Sequence, residues 1–549
     1  MHAYKLLTLK NRFGLLILGY CITNNYQLMK QIFRIIPILI ISFFLLFSLS
    51  FCTKKEVSTK PNIILILGDD IGYSDISPFG SEINTPNLDR LAEAGIRFSN
   101  FYNMAKCEPS RSSLFTGLYE GGGNAVNFAH ILKNEGYYTI HSGKQHFMEW
   151  VPDNVRAENI FDKSLTFKAM NEFFEPPSGE FANPFFLNGK QVKVPEIYHE
   201  KKPFFKTDAL TDNAIKWLEE PIRKKQPFFL YLGYGAAHYP LQARPEDIAK
   251  YRGSYKKGWD QIRKNRHQRL IEMGLIPANT ELSTPSANIN KFRGHPKGDE
   301  EIRAKIPLYR PWEELTEKEQ DALDLEMSVF AAMVDCMDQN IGRVLQKLDD
   351  EGLADNTIVI YLSDNGSCPY DSNSDFEHVP GVSEGFRTLS AAWANAGNTP
   401  YRYFKQYGHE GGTHTHFILR WPNRVKAGQF THQQGHIVDI FPTLLEATGA
   451  EYPQQLGEIN PQPLHGKSLM PILIGETIEE SDFYISGWTD KFRMYKKGNW
   501  KIVKLNNEKW ELYNLKDDPT EMNDLSGKMP EKLQQIILHF NEDKIKVGY

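Results

Sequence analysis

Acidic and amide side chains occur in two pairs, each placed directly after an apolar run. The pairs are Asp69 with Asp70 and Asp364 with Asn365. Taken singly, an aspartate in such a position is typical of a turn or a helix cap. Three carboxylates and an amide brought together would instead bind a hard divalent cation, because Ca²⁺ and Mg²⁺ prefer oxygen ligands. The recurrence of the pair in one chain favours the cation site.

A cysteine further along the chain has neighbours that suit anion binding. Cys107 is followed by Glu108, then by Pro109 and Ser110 at helix-start positions, and then by Arg111. A lone cysteine is usually a small buried hydrophobic residue. A helix N-terminus with an arginine beside it, however, is a typical anion-binding arrangement. The segment therefore predicts an anion site near Cys107.

Apolar runs predict the strands that position these residues. Runs bounded by turn residues and rich in β-branched side chains indicate strands buried on both faces. Such runs occur at residues 62–67, 138–141, 228–232, 357–362 and 417–420. Helix-length segments lie between them, the clearest at residues 317–349. This alternation predicts an α/β fold with a large, mostly parallel mixed sheet flanked by helices, in which ligands bind beyond the carboxyl ends of the strands.

Two regions depart from this alternation. Residues 251–315 are rich in Lys, Arg, Gly and Pro and show little periodicity. They predict an excursion over the rim of the site or, as the alternative, a solvated loop without a role. Beyond residue 475, short strand-like runs and a helical segment at 531–540 predict a small antiparallel sheet plus a helix. We therefore assign a main domain to residues 61–475 and a C-terminal α+β subdomain to residues 476–549.

The N-terminal region has the features of an export signal. Residues 35–51 are almost wholly apolar, are preceded by Lys30 and Arg34, and are followed at once by Cys52. A basic start, a short apolar region and a terminal cysteine describe a bacterial lipoprotein signal, and an uncleaved membrane anchor is the alternative. The resulting assignments are a signal segment at 1–51, a lipoprotein tether at 52–60 and an alternative translation start at Met29.

The composition excludes several classes of protein. The 549 residues include 63 Lys and Arg against 68 Asp and Glu, a net charge of −5, which is not the electrostatic footprint of a nucleic-acid binder. A hydrophobic content of 41% excludes a mainly disordered chain, and five cysteines are too few for a disulfide-built scaffold. We expect no nucleic-acid partner, and contact with a membrane only through the signal segment or a lipid anchor.

The segment that begins at Cys107 resembles the modification signature of the type I sulfatases, in the arylsulfatase-like branch of the alkaline-phosphatase-like superfamily. The signature, Cys-x-Pro-Ser-Arg followed by Leu-x-Thr-Gly, runs here from residue 107 to residue 117. The family's second signature is similar to GKQH at 143–146. Further similar segments are TPNLD at 85–89, AHYP at 237–240, EGG at 410–412, RWP at 420–422 and WELYN at 510–514. The resemblance implies the alkaline-phosphatase-like fold.

The resemblance also implies a modified nucleophile. In this family the cysteine, here Cys107, is oxidised to Cα-formylglycine (3-oxoalanine) by a formylglycine-generating or an anaerobic sulfatase-maturating enzyme. One hydroxyl of the aldehyde hydrate attacks sulfur and releases the alcohol, and the other collapses to the aldehyde and expels sulfate. The implied cofactor is one Ca²⁺ per chain, with Mg²⁺ as the alternative. Its implied ligands are Asp69, Asp70, Asp364, Asn365 and the modified Cys107.

The family pattern further implies catalytic roles for Cys107 and five other residues. Arg111 would hold the diol, and Lys144 would bridge the diol and the sulfate. His146 would take the proton of the second hydroxyl during elimination, and His238 would protonate or hydrogen-bond the departing oxygen. Lys405 stands at the spacing of the family's sulfate-binding lysine.

The implied function is hydrolysis of carbohydrate or aryl sulfate monoesters by an enzyme exported to the periplasm or the cell surface as a lipoprotein. Two alternatives stay open: a phosphatase, phosphonate or phosphodiester hydrolase of the same superfamily, and a non-catalytic lipoprotein that binds sulfated glycans. We expect specificity to depend on residues 251–315, residues 370–405 and a rim at His414 and His416. For these two histidines and His409 we favour rim or packing roles over a second metal site, because their spacing does not match a zinc signature.

Overall fold

The structure, a computed structural model, describes residues 60–119, 124–147, 160–169, 171–200, 202–285, 311–369, 379–458, 460–479, 483–488 and 491–548. The predicted signal segment, Met29, Cys52 and all of the tether except Lys60 lie outside these residues. Lys60–Tyr549 forms one compact unit, and the boundary at residue 475 stays a prediction. Within the described ranges, no helix combines the length and the apolar character that a membrane crossing needs.

A ten-stranded mixed sheet forms the centre of this unit. Its strands are β1 (Asn62–Gly68), β2 (Ile96–Tyr102), β3 (Tyr138–Lys144), β4 (Lys163–Phe167), β5 (Phe185–Leu187), β6 (Lys190–Val192), β7 (Phe228–Gly233), β8 (Thr357–Ser363), β9 (His414–Arg420) and β10 (Gln429–His436). Their spatial order is β10-β2-β9-β8-β1-β7-β3-β4-β5-β6. The run from β8 to β4 is parallel, whereas β9 is antiparallel to both neighbours. The predicted mostly parallel mixed sheet is confirmed.

The five strands predicted from apolar runs all belong to this sheet. Along β1, successive side chains enter two separate cores: Ile64 and Ile66 lie in one core, and Ile63 and Leu65 lie in the other. This alternation follows from the two-residue period of a strand. A strand that is buried on both faces needs apolar side chains at every position, which is why the run reads as continuously apolar.

Helices pack around the large sheet, and the last of them packs on a smaller C-terminal sheet. They are α1 (Pro86–Glu93), α2 (Cys107–Thr116), α3 (Phe128–Asn134), α4 (Val194–Ile197), α5 (Lys206–Lys224), α6 (Pro245–Ala249), α7 (Trp259–Glu272), α8 (Glu317–Asp350), α9 (Ala391–Gly397), α10 (Glu410–Thr413), α11 (Ile440–Thr448), α12 (Met470–Leu473) and α13 (Pro530–Val547). The predicted long helix is α8. A capping box starts it, because the Glu319 N–H donates to Thr316 Oγ1 and the Thr316 N–H donates to the Glu319 carboxylate.

The prediction of an aperiodic excursion over residues 251–315 is wrong in part, because helix α7 lies inside it. Arg266, on the buried side of this helix, pairs with Asp75 at 2.6 Å and with Glu82 at 2.8 Å. A helix whose buried face carries paired charges shows no apolar periodicity, so hydropathy does not reveal it. The helix packs against α9 and the segment after β1 instead of crossing solvent as a loop.

The C-terminal region forms a second, four-stranded antiparallel sheet. Its strands, in spatial order, are β11 (Tyr484–Trp488), β12 (Phe492–Lys497), β13 (Trp500–Leu505) and β14 (Glu511–Asn514). Helix α13 packs on one face, where the rings of Tyr495 and Phe540 lie 5.6 Å apart. The predicted small antiparallel sheet with a helix is confirmed.

Candidate active site

The central parallel strands bring the predicted residues together at one edge of the large sheet. Asp69 follows β1, Asp364 follows β8, Lys144 ends β3, and His238 lies five residues beyond the end of β7. These four strands are consecutive in the sheet. The carboxyl edge of an open parallel sheet is where such folds bind ligands.

Two lysines neutralise the first acidic pair. Lys144 Nζ lies 2.6 Å from Asp69 Oδ2, and Lys405 Nζ lies 2.6 Å from Asp70 Oδ1. All four side chains are buried, and buried charges are stable only when they are paired. Burial opposes ionisation of both carboxyl groups, but Lys144 beside Asp69 and Lys405 beside Asp70 outweigh it and hold both pKa values below the usual range.

Arg111 connects the second acidic pair to helix α2, which begins at Cys107. Its Nε and Nη2 lie 2.9 Å and 2.7 Å from Asp364 Oδ2. Its Nη1 donates to the Lys144 carbonyl oxygen at 3.2 Å and to the Tyr231 hydroxyl oxygen at 2.9 Å. Tyr231 was not among the predicted site residues, because it lies within the apolar run of β7 and no local pattern distinguishes it there.

Cys107 lies at ligand distance from two of the aspartates. Its Sγ and carboxylate oxygens of Asp69 and Asp364 all lie within 4.8 Å of one another. Asp69, Asp70 and His238 form an overlapping group within the same limit. Cys107 is buried, at 2% exposure.

The oxygen atoms close to Cys107 fit the ligand set of a divalent cation. Asp69 Oδ1, Asp70 Oδ2 and Asn365 Oδ1 are buried without a hydrogen-bond donor. Buried acceptors without donors are costly. Burial, together with the neighbouring Asp69 carboxylate, raises the pKa of Asp364 well above its usual value. An oxygen-ligated cation such as Ca²⁺ would supply the missing partners of these oxygens.

Two histidines border the site. His238 Nε2 lies 3.6 Å from Asp70 Oδ2, and His238 Nδ1 donates to the Tyr239 carbonyl oxygen at 2.8 Å. His146 has a left-handed φ of 46°, which is uncommon outside glycine and is often found at functional sites. Burial lowers the pKa of His238 to about 3 and lowers that of His146 well below its usual value. The structure therefore places His238 beside Asp70 and His146 beside the end of β3, and their catalytic roles stay predictions.

A glycine lets β3 and β7 approach closely beside this point. Gly143 has a φ of 131°, and a Cβ atom there would lie 1.9 Å from the Gly233 carbonyl oxygen. Only glycine fits this position. The close approach sets the strand end that carries Lys144 and His146.

The predicted rim at His414 and His416 is wrong, because both side chains are buried in β9. The His416 ring stacks on Tyr361 with centroids 5.3 Å apart. His414 Nδ1 lies 2.8 Å from Glu410 Oε2. His409 is also buried. The alternative of packing roles for these histidines is the one the structure supports.

A cavity of about 470 Å³ adjoins His146. Residues of α2, of β4, of the segments after β3 and β4, and of the β5–β6 hairpin line it, among them Glu108, Gln145, Lys168 and Phe186. This volume falls in the range of small-molecule sites. The cavity is therefore much larger than a sulfate ion.

Comparison with known families decides the family to which the chain belongs. The Sulfatase family profile matches residues 61–450, and the profile described as N-sulphoglucosamine sulphohydrolase, C-terminal, matches residues 400–546. The first match covers well over half of the chain. The protein belongs to the sulfatase family. As a sulfatase it is a sulfuric ester hydrolase, and the suspected resemblance is confirmed.

Several curated sulfatases are similar to this chain. An uncharacterized sulfatase of Schizosaccharomyces pombe is 32% identical over 88% of this chain and 93% of its own length. The arylsulfatase of Klebsiella aerogenes is 30% identical over 75% of this chain and 92% of its own. The N-acetylglucosamine-6-O-sulfatase of Bacteroides thetaiotaomicron is 26% identical over 88% of this chain and 86% of its own.

Solved structures share the sulfatase fold. The crystal structure of Ps i-CgsB in complex with k-i-k-neocarrahexaose has a TM-score of 0.62 at 23% identity and covers 88% of this chain and 92% of its own. The phosphonate monoester hydrolase of Agrobacterium radiobacter has a TM-score of 0.54 at 18% identity, with 89% and 95% covered. The second match shows that the fold extends beyond sulfatases, and it carries no statement about activity.

Proposed function

We propose that this sulfatase hydrolyses sulfate monoesters of carbohydrates, using a formylglycine hydrate formed at Cys107 and one divalent cation, Ca²⁺ or Mg²⁺. The position of Cys107 carries the proposal. It is the first residue of helix α2, it is buried, and its sulfur lies within 4.8 Å of oxygens of Asp69 and Asp364. A thiol placed among carboxylates would otherwise be an inert core residue.

Each side chain of the site then has a chemical task. The hydrate would supply a nucleophile that is regenerated by elimination, and the cation would polarise a sulfate oxygen. Lys144 and Lys405 would bind sulfate oxygens, because both ammonium groups face the site and a sulfate monoanion would compete for them. Arg111 would hold the nucleophile. His146 would accept the proton of the remaining hydroxyl, and His238, protonated at Nε2 once the anionic sulfate ester is bound, would donate to the departing oxygen.

The substrate class is inferred from the cavity and from relatives. Sulfatases with 24–26% identity to this chain include enzymes named for N-acetylglucosamine and N-acetylgalactosamine esters. The cavity beside His146 has the volume that a sugar ring attached to the sulfate would need. Aryl sulfates are then convenient test substrates.

The test compares the wild-type protein with Cys107→Ala after co-production with a maturating enzyme. We expect peptide mass spectrometry to show the conversion of the Cys107 thiol to an aldehyde, and we expect sulfate release to fall to background in the variant, because the nucleophile is lost. Cys336→Ala is the matched control, since Cys336 is also a buried free thiol and lies in helix α8. Full activity of Cys107→Ala would refute the proposal.

A screen of substrates separates this function from its two alternatives, a phosphorus ester hydrolase and a non-catalytic glycan-binding protein. It contains sulfated monosaccharides, glycan fragments, aryl sulfates, phosphate monoesters and diesters, and phosphonates. Turnover of phosphorus esters alone, with two tightly bound Zn²⁺ per chain, would identify a phosphatase or phosphonate hydrolase. Binding of sulfated glycans without any turnover, with Cys107 unmodified, would identify a binding protein.

A further inference from the structure

Lys405 is carried by a closed loop, residues 402–411, which we call the Lys405 loop. The Gly411 N–H donates to the Arg402 carbonyl oxygen at 2.9 Å and ties the two ends of the loop together. Inside the loop, the Lys405 N–H donates to the Ser367 carbonyl oxygen at 3.1 Å. Ser367 lies three residues beyond Asp364, so the loop is attached on its inner side to a segment that carries the site.

The inner side has a second attachment. The Gln406 N–H donates to the Ala105 carbonyl oxygen at 2.7 Å, and Ala105 is two residues before Cys107. The Lys405 side chain itself is 3% exposed, with its Nζ on Asp70. Any displacement of the loop would therefore move this ammonium group relative to Cys107 and Asp70.

The outer side of the loop is held by the C-terminal sheet. Arg402 Nη1 donates to the Tyr513 hydroxyl oxygen at 3.2 Å and to the Glu521 carbonyl oxygen at 3.0 Å. At the other end of the loop, His409 Nε2 lies 2.8 Å from Glu511 Oε2. The hydroxyl of Tyr513 in turn donates to the Glu511 carboxylate. Both ends of the loop are thus bound to β14 and the segment after it.

A buried ion cluster completes this connection. Lys501 Nζ, from β13, lies 2.6 Å from Glu410 Oε1 and 2.8 Å from Glu521 Oε1. The Glu410 N–H also donates to Glu521 Oε2 at 2.6 Å. All three side chains are at most 2% exposed. Burying one ammonium group between two carboxylates is costly unless geometry is strict, so the cluster defines where the end of the loop must lie.

The loop also packs directly on the sheet. A Cβ atom at Gly408 would lie 2.9 Å from the Arg493 carbonyl oxygen and 3.0 Å from Val503 Cγ1. The sheet backbone of β12 and a side chain of β13 therefore touch the loop backbone. The contact leaves no space in which the loop could shift toward the sheet.

We propose that Lys501, Glu521 and Tyr513 of the C-terminal region are positioning residues that set the place of the Lys405 ammonium group for sulfate binding. The proposal rests on the proposed function, because it takes Lys405 as a sulfate ligand. The C-terminal sheet then contributes to catalysis by positioning a sulfate ligand, although none of these three residues reaches the reacting atoms. A displacement of about 1 Å in a binding group can lower a rate by about 100-fold.

The test uses two tyrosines of the same sheet. Tyr513 and Tyr495 are both fully buried, and each donates its hydroxyl hydrogen to a carboxylate, but Tyr513 faces the Lys405 loop and Tyr495 bonds Asp543 of helix α13. We expect Tyr513→Phe to lower kcat/KM for a sulfate ester by about threefold or more and to weaken the affinity for inorganic sulfate by a similar factor. We expect Tyr495→Phe to change neither kcat/KM nor the affinity for sulfate. Its melting temperature should nevertheless fall by about as much as that of Tyr513→Phe.

Equal effects of the two substitutions on sulfate affinity and kcat/KM would overturn the positioning role. Lys501→Met should give a larger loss, about 100-fold in kcat/KM, and the tyrosine pair decides the question if that variant does not fold. If the wild-type protein releases no sulfate from any ester, the proposed function fails instead. The inorganic-sulfate affinities of the same tyrosine variants, measured by calorimetry, still test the positioning role in that case.

Discussion

At the scale of residues, each buried aspartate of the site is paired with its own positively charged side chain. Lys144 pairs with Asp69, Lys405 pairs with Asp70, and the third carboxylate is held by an arginine. This one-to-one pairing stabilises the buried carboxylates. It also places two buried ammonium groups beside carboxylate oxygens that lack hydrogen-bond donors. Those oxygens, Asp69 Oδ1 and Asp70 Oδ2, are the ones that would hold a divalent cation.

The role of His238 predicts an effect that depends on the leaving group. We expect His238→Ala to lower kcat/KM about 100-fold for a sugar sulfate, and by about tenfold or less for a nitrophenyl sulfate. A sugar alkoxide is strongly basic and needs a hydrogen-bond donor as it departs, whereas a nitrophenolate does not. Steady-state kinetics with both esters measure the difference.

A matched histidine serves as the control for this prediction. His416 is fully buried and stacks on Tyr361, so His416→Phe keeps the stack and removes only the imidazole. This variant should retain the wild-type ratio between the two esters. An equal loss for both esters in His238→Ala would contradict a role at the departing oxygen.

At the scale of elements, apolar runs predicted the strands well and charged helices poorly. Strand β1 was predicted at 62–67 and spans Asn62–Gly68, because burial on both faces demands a continuous apolar run. Helix α7 escaped prediction, because its buried face carries Arg266. Paired charges replace apolar residues there, and the partners of an arginine lie far away in the sequence.

The junction of β10 and helix α11 contains a carboxyl group whose ionisation opposes folding. Asp439 accepts hydrogen bonds from the His436 N–H at 2.7 Å and from the Lys467 N–H at 2.8 Å. Burial raises its pKa from 3.8 to about 7, although these N–H groups lower it. Folding therefore favours the neutral acid, so the contribution of this group to stability is fully present below about pH 4 and is lost as the pH rises through about 7.

We predict that Asp439→Asn removes this pH dependence. The free energy of unfolding of the wild-type protein should fall, relative to the variant, by up to ~1.4 kcal/mol per pH unit between about pH 4 and pH 7. Urea unfolding at several pH values measures the difference, and Asp517→Asn, on an exposed turn, is the control. Parallel stability curves for the wild-type protein and Asp439→Asn would show that this carboxyl group does not titrate between these values.

At the scale of the whole molecule, we propose that the enzyme is exported and anchored through a lipid on Cys52. The proposal rests on the order of features in residues 30–52, where basic residues come first, an apolar run follows and a cysteine ends the segment. Cells that produce the wild-type protein should incorporate a labelled fatty acid into it, and Cys52→Ala should lose the label. Unchanged label in Cys52→Ala would contradict the lipoprotein assignment. If neither the wild-type protein nor the variant is labelled and both stay in the membrane, the apolar segment is an uncleaved anchor.

The sequence by itself determined which residues carry the predicted chemistry of the site. The modification motif at residues 107–117, the two acidic pairs and the lysine and histidine signatures each lie in short local patterns, so the residue types and their spacing were sufficient to predict them. The predicted strands placed both acidic pairs at the carboxyl edge of a parallel sheet. Local patterns report local structure because neighbouring residues share one element.

Only the tertiary structure decided which groups meet. Asp70 contacts Asp364, which lies 294 residues away in the sequence, and Lys405, which lies 335 residues away. Lys501 contacts Glu410 over a sequence separation of 91 residues. Such contacts depend on strand order and on how the small sheet packs against the Lys405 loop, and these follow from the summed packing of the whole chain. No local pattern marks Tyr231 or Lys501, because each reads as an ordinary strand residue until its distant partner lies beside it.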